Sequence, residues 1–135
     1  MQFYVGILDG SDDVWGVRIA DIPGCVGGGA TPEEAIADVT RALRDVAEFK
    51  AKGNFPLPPP SPLSAVLASG DMDQGETTVL IPLLLDSGRT VRANISIDAG
   101  LLEAIDTEAT RRGLSRSAFL ASAARDKITN SLPHR

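Results

Sequence analysis

From Thr90 to Ile97 the chain alternates without a break: Val91, Ala93, Ile95 and Ile97 fall on one side, and Thr90, Arg92, Asn94 and Ser96 on the other. Period two over such a stretch specifies a half-buried β-strand. The residues that follow cannot bury it alone. Asp98 is placed to cap a helix whose Leu101, Leu102, Ile105 and Ala109 share a face, with Arg112-Gly113 as its stop. Ser115 is placed to cap a second helix, with Phe119, Leu120, Ala123, Ala124 and Ile128 inward, and the tail from Asn130, including His134, reads as frayed. A strand and two short helices amount to roughly 40 residues, near the floor for a domain without disulfides or metal. They leave two apolar helix faces, an apolar strand face and an unpaired strand edge. The physical remedy is a second copy: two strands pair as an antiparallel ribbon and four helices close over it.

Such a ribbon displays Thr90, Arg92, Asn94 and Ser96 twice on its outer face. A two-stranded ribbon fits the DNA major groove, where Arg bonds guanine O6/N7 and Asn bonds adenine N6/N7. The outer face therefore holds residue types that read base edges.

The front of the chain reads differently. Phe3, Val5 and Ile7 alternate, Asp9-Gly10-Ser11-Asp12-Asp13 reads as a hairpin loop, and Trp15, Val17 and Ile19 alternate again. Asp21-Ile22-Pro23-Gly24 is a second turn, and a short third strand runs from Cys25 into Gly27-Gly28-Gly29. Thr31 is a helix N-cap, Pro32 suits the first helical position and Glu34 completes a capping box. Ala35, Ile36, Val39, Ala42, Leu43, Val46 and Phe49 form the core-facing stripe, and Gly53 ends it. Pro56, Pro58, Pro59, Pro60 and Pro62 make residues 55–62 a stiff extended linker, and Ser69 to Gly75 an acidic surface loop. Thr77 to Leu85 is a strand that Pro82 confines to an edge or a bulge. The expectation is an α+β protein: a β-β-β-α-β domain over residues 1–86, with the 55–62 linker inside it, then a dimeric domain over 89–130.

Net charge is −5, which argues against nucleic acid only while the chain is taken whole. Residues 1–75 carry eleven acids against five bases, whereas from Arg89 onward five acids face eight bases. Steering follows local charge, so two modules with different partners are implied. Other chemistry is excluded more firmly. One Cys (Cys25) and one His (His134) make no disulfide framework, zinc cluster or thiol–imidazole pair. No apolar run is long enough to span a bilayer, and Met1 to Val5 has neither basic nor apolar signal character, so a cytoplasmic protein is expected. Cys25 reads as a buried thiol and Trp15 as a core anchor. The glycine run before Thr31 has no Lys in P-loop position, so it marks a tight strand-to-helix approach. No cofactor and no metal are expected.

The rear residues also carry a resemblance. Val91-Arg92-Ala93-Asn94-Ile95-Ser96-Ile97, Leu101-Leu102, Ile105-Asp106 and Arg112 to Leu120 resemble a ribbon-helix-helix domain of the Arc/MetJ kind. The resemblance implies base reading by Arg92, Asn94 and Ser96, with Thr90 on the same face, and phosphate binding by Ser115 and Arg116. Trp15-Gly16-Val17, Asp21 to Cys25, Gly29 to Ala35, Leu80 to Leu83 and Gly88 to Ser96 are together similar to the HicB antitoxin family. That resemblance implies a partial, degenerate RNase H-like front domain and a type II toxin–antitoxin role. The front domain would mask a small HicA-like mRNA interferase, and the homodimeric tail would bind operator DNA and repress the shared operon, with larger assemblies open. An acidic module suits a basic, RNA-binding toxin. Asp9, Asp12, Asp13 and Asp21 are candidates for that contact, against their plainer reading as solvated turn carboxylates.

Two alternatives stand beside this. One is a solitary regulator with the same tail, its front domain binding another protein or a small ligand. The other is a metal nuclease, which needs carboxylates converging on paired ions. Three of the four aspartates cluster in a hairpin loop and the inward strand positions are apolar, so no enzyme is expected.

Overall fold

Hydrogen-bonded turns set the front of the chain. In the computed structural model, which describes residues 1–129, β1 (Gln2–Ser11) folds back on β2 (Val14–Ile19) across Asp12 and Asp13, with Asp12 at φ 54°. The loop is thus two residues long, and Asp9 belongs to β1, paired with Gly16. Pro23 and Gly24 form the next turn: Gly24 sits at φ 86° and the Cys25 N–H donates to the Ile22 carbonyl at 3.1 Å. That is the type II pattern, which needs a positive φ at its third residue. β3 (Val26–Gly29) then pairs with β2.

α1 (Pro32–Lys52) starts where expected. The Thr31 hydroxyl accepts from the Glu34 N–H at 3.1 Å, but the Glu34 carboxylate accepts from Ala30 N–H at 2.8 Å, one residue ahead of the usual capping-box donor. Its inward face is Ala35, Ile36, Val39, Thr40, Leu43 and Ala47. Phe49, expected inward, is 72% exposed. The stripe reaches its end at Ala47, and two further residues turn the helix by about 200°, to the opposite side.

The proline segment is no free linker. The Tyr4 hydroxyl donates to the Pro58 carbonyl at 2.6 Å, and both the N–H and the hydroxyl of Ser61 donate to the Asp21 carboxylate at 2.6 Å. It delivers a helix absent from the sequence reading, α2 (Leu63–Ala68), so the front order is β-β-β-α-α-β rather than β-β-β-α-β. At six residues, with Pro62 at its cap and no side-chain cap bond, α2 carries no start signal.

β4 (Thr77–Leu83) completes an antiparallel sheet of order β3-β2-β1-β4. Pro82 therefore lies on an edge strand, as its missing N–H requires. The two faces of β1 have different covers. Tyr4 and Leu8 join Val17, Ile19, Ile81 and Leu83 beneath α1, with Trp15 packed against them, whereas Val5 and Ile7 meet Val66 of α2 and Met72. The alternation at Phe3, Val5 and Ile7 thus marked the second, smaller cluster, and Phe3 itself is exposed. Pairing explains this: Leu8 lies opposite Val17 and Gly6 opposite Ile19, so the even positions of β1 share the β2 core face.

The contacts divide the chain into a front unit, Met1–Leu85, and a rear unit, Asp86–Ile128. In the rear unit Asp98 caps α3 (Ala99–Arg111), its carboxylate accepting from Leu101 N–H at 3.0 Å. Gly113 at φ 70° and a Leu114 N–H to Ala109 carbonyl bond of 2.8 Å close α3 as a Schellman turn. The Ser115 hydroxyl then caps α4 (Arg116–Thr129) through Ala118 N–H at 3.1 Å.

Residues 90–97 form no strand in this single chain. A strand exists through ladder bonds to a neighbour, and among the described residues the rear unit offers none. Val91 is 75% and Ile95 66% exposed. Of the expected inward helix residues, Ile105 and Ala109 are buried, Leu102, Phe119 and Leu120 are half-buried, and Leu101, Ala123, Ala124 and Ile128 are exposed. His134 lies outside the described residues.

Candidate functional site

Thr90, Arg92, Asn94 and Ser96 are all solvent-exposed, on a segment that nothing in the rear unit covers. The charges around them are arranged unevenly. Arg111 and Arg112 both donate to Glu108, Arg125 donates to Asp86 at 3.0 and 3.1 Å, and Arg116 donates to Asp106 at 2.8 and 2.7 Å. Arg89 and Arg92 make no ion pair among the described residues. The candidate base reader is thus unengaged, while the candidate phosphate binder is held by a carboxylate. Ser115, the other candidate there, uses its hydroxyl to cap α4.

Glu108 shows how strongly these pairs bias a proton. Bonds from Arg111 and Arg112 hold its carboxyl down to about 2, from an ordinary 4.5. A folded value below the unfolded one stabilises the fold fully above the ordinary carboxylate value and loses that effect as pH falls through the folded value. The thermal unfolding midpoint should therefore fall between pH 4.5 and about 2, and Glu108→Gln should flatten that part of its pH profile. Superimposable profiles for the two proteins would refute the assignment.

The four acidic candidates of the front unit part company. Asp9, Asp12 and Asp13 lie exposed at the β1–β2 hairpin, where the Asp12 carbonyl also accepts from the Trp15 indole at 3.1 Å. Asp21 is half-buried and commits both oxygens to Ser61, so it fastens the proline segment. Among the described residues no three His, Cys, Asp or Glu side chains converge to hold a metal ion. Cys25 is buried, and that burial raises its thiol above the usual range. Arg18 pairs with Glu76, and that bond, with one from Asp73 N–H, holds the Glu76 carboxyl below its ordinary value.

Two features lay outside the sequence reading. Phe49 and Phe55 stand exposed around a cavity of about 630 Å³, lined also by Asp45, Val46 and Lys50. The Arg116–Asp106 pair also went unread, because its partners are ten positions apart and meet only after the chain reverses at Gly113. No helix among the described residues is long and apolar enough to cross a membrane.

An antiparallel four-stranded sheet with helices, followed by a capped helix pair, has counterparts of known class. Residues 3–124 match the family described as the HicB-like antitoxin of bacterial toxin–antitoxin systems. The chain belongs to that family and is an antitoxin. Among solved structures it is similar to the antitoxin HicB of Burkholderia pseudomallei, at 27% identity and a TM-score of 0.56 over 92% of this chain and 96% of that one. It is similar to antitoxin HicB3 at 26% identity and a TM-score of 0.52, covering 96% and 99%. A chain of the HicA3–HicB3 toxin–antitoxin complex shares the fold at 19% identity and a TM-score of 0.50, covering 62% of this chain and all of that one. A comparison with curated proteins finds no match.

Proposed function

We propose that residues 1–86 bind and neutralise a HicA-like mRNA interferase, and that residues 89–130 form a ribbon-helix-helix homodimer that represses the operon encoding both proteins in the cytoplasm. The family match carries this reading, because it runs from residue 3 to 124 and so takes in both units. Physical observations support each half. Val91 and Ile95 are exposed apolar residues on an unpaired segment, which a second copy would cover by pairing strand to strand. Arg92, Asn94, Ser96 and Thr90 would then face the major groove, with Ser115 and Arg116 towards phosphate. The front residues carry the chain's acidic excess, which suits a basic partner, and the HicA3–HicB3 complex offers a precedent of the same fold. Asp9, Asp12 and Asp13 are the exposed carboxylates offered for that contact, while Asp21 serves the fold. Regulation by binding needs no cofactor and no catalysis.

The test is co-expression with the adjacent gene, expected to encode a short basic protein with one His. Induced alone, the neighbour should arrest growth. With this chain present, growth should return and the two proteins should co-purify. Arrest that persists despite full expression of this chain would exclude neutralisation.

A further inference from the structure

Arg116 and Asp106 form a two-point ion pair, Nε to Oδ1 at 2.8 Å and Nη2 to Oδ2 at 2.7 Å, between the start of α4 and the body of α3. We propose that Asp106 is a built-in competitor for the DNA backbone: by occupying Arg116 it lowers the affinity of the rear unit for phosphate without altering which sequence is read. This rests on the reading that Arg116 faces phosphate.

An Arg guanidinium binds carboxylate and phosphate through the same planar fork. With Nε and Nη2 committed to Asp106, an arriving phosphate must displace the carboxylate or accept the remaining donors beside a negative charge. In either case the field of Arg116 at the phosphate is largely cancelled, and the counterion release that one free Arg supplies is lost. Displacement is feasible, because both side chains are about half exposed and such pairs are weak in water. Arg92 has no such restraint among the described residues. The rear unit thus leaves its base reader free and restrains its phosphate binder. Phosphate contacts carry no sequence information, so the restraint acts on all duplexes alike.

Full-length wild type, Asp106→Asn, Arg116→Ala and the double variant should be titrated against two duplexes. One carries the chain's own promoter region and the other is an unrelated sequence of equal length, each measured across a range of salt. Asp106→Asn should tighten binding to both by a similar factor, about fivefold at 0.1 M salt, and steepen the salt slope by about 1 for each Arg116 released. The gain should vanish when Arg116 is Ala. If the wild type binds the promoter and Asp106→Asn leaves affinity unchanged or weakens it, the competitor role is wrong while DNA binding stands. If the gain persists in the double variant, bulk charge is responsible and the proposal also fails. If the wild type shifts neither duplex at any salt, the DNA-binding reading falls and takes the proposal with it.

Discussion

On the proposed DNA-binding reading, Arg92→Ala should abolish the sequence-specific shift of a duplex carrying the chain's own promoter, while leaving helix content, unfolding midpoint and oligomeric mass unchanged. The side chain is exposed and has no ion-pair partner among the described residues, so its removal takes nothing from the fold. Its loss should be felt only at the base edge. A bidentate contact from Arg to guanine discriminates by about 1–3 kcal/mol, and a symmetric dimer would lose two, about 2–6 kcal/mol together. Weak binding to unrelated duplex should survive, because that rests on phosphate contacts. The measurement is a mobility shift with specific and unrelated competitor DNA at fixed salt. Retention of the wild-type affinity for the promoter would overturn the assignment of Arg92.

Gly27→Ala should destabilise the front unit by about 3 kcal/mol, the upper end of the cost of overpacking a core. A Cβ at this position would lie 2.3 Å from the Val39 backbone nitrogen and 2.7 Å from its Cα. Those atoms belong to the middle of α1, and Val39 is fully buried, so no flexible side chain can give way. The helix would have to lift from β3. In a unit of this size that cost corresponds to a fall in unfolding temperature of about 15 °C. Gly28→Ala is the control: its Cβ would meet nothing nearer than the Trp15 carbonyl, at 3.3 Å. Neither glycine has a positive φ, so equal losses in the two variants would mean that the close approach of α1 does not set the cost. This close approach is the physical content of the glycine run before Thr31, a tight strand-to-helix contact.

Much else was legible for the same reason, that it is local. Thr31, Asp98 and Ser115 each cap a helix through a bond to the third residue onward, so the signal and its effect lie within one turn. Pro23-Gly24 and Gly113 reverse the chain through their own backbone angles. Pro82, having no N–H, was confined to an edge or a bulge, and β4 is an edge strand. Phe49 went the other way: its spacing fits the stripe as far as Val46, but Leu43 and Ala47 set the buried line, which only the position of the sheet beneath α1 selects.

What the sequence determined by itself, then, are features signalled by the residues that close them: the caps of α1, α3 and α4, the turns at Pro23-Gly24 and Gly113, and the alternation from Thr90 to Ile97. What the tertiary structure decided are the contacts between residues far apart in the chain. Asp21 reads as a surface carboxylate until Ser61 arrives from 40 positions away, and residues 55–62 read as a linker until Tyr4 reaches Pro58 across 54. Neither contact leaves a periodic trace, because each depends on the path of the chain between its partners. The alternation at 90–97 marks the limit of both. Its apolar side is written in the sequence, yet a strand takes its hydrogen bonds from a neighbour, and within one rear unit no neighbouring strand is at hand.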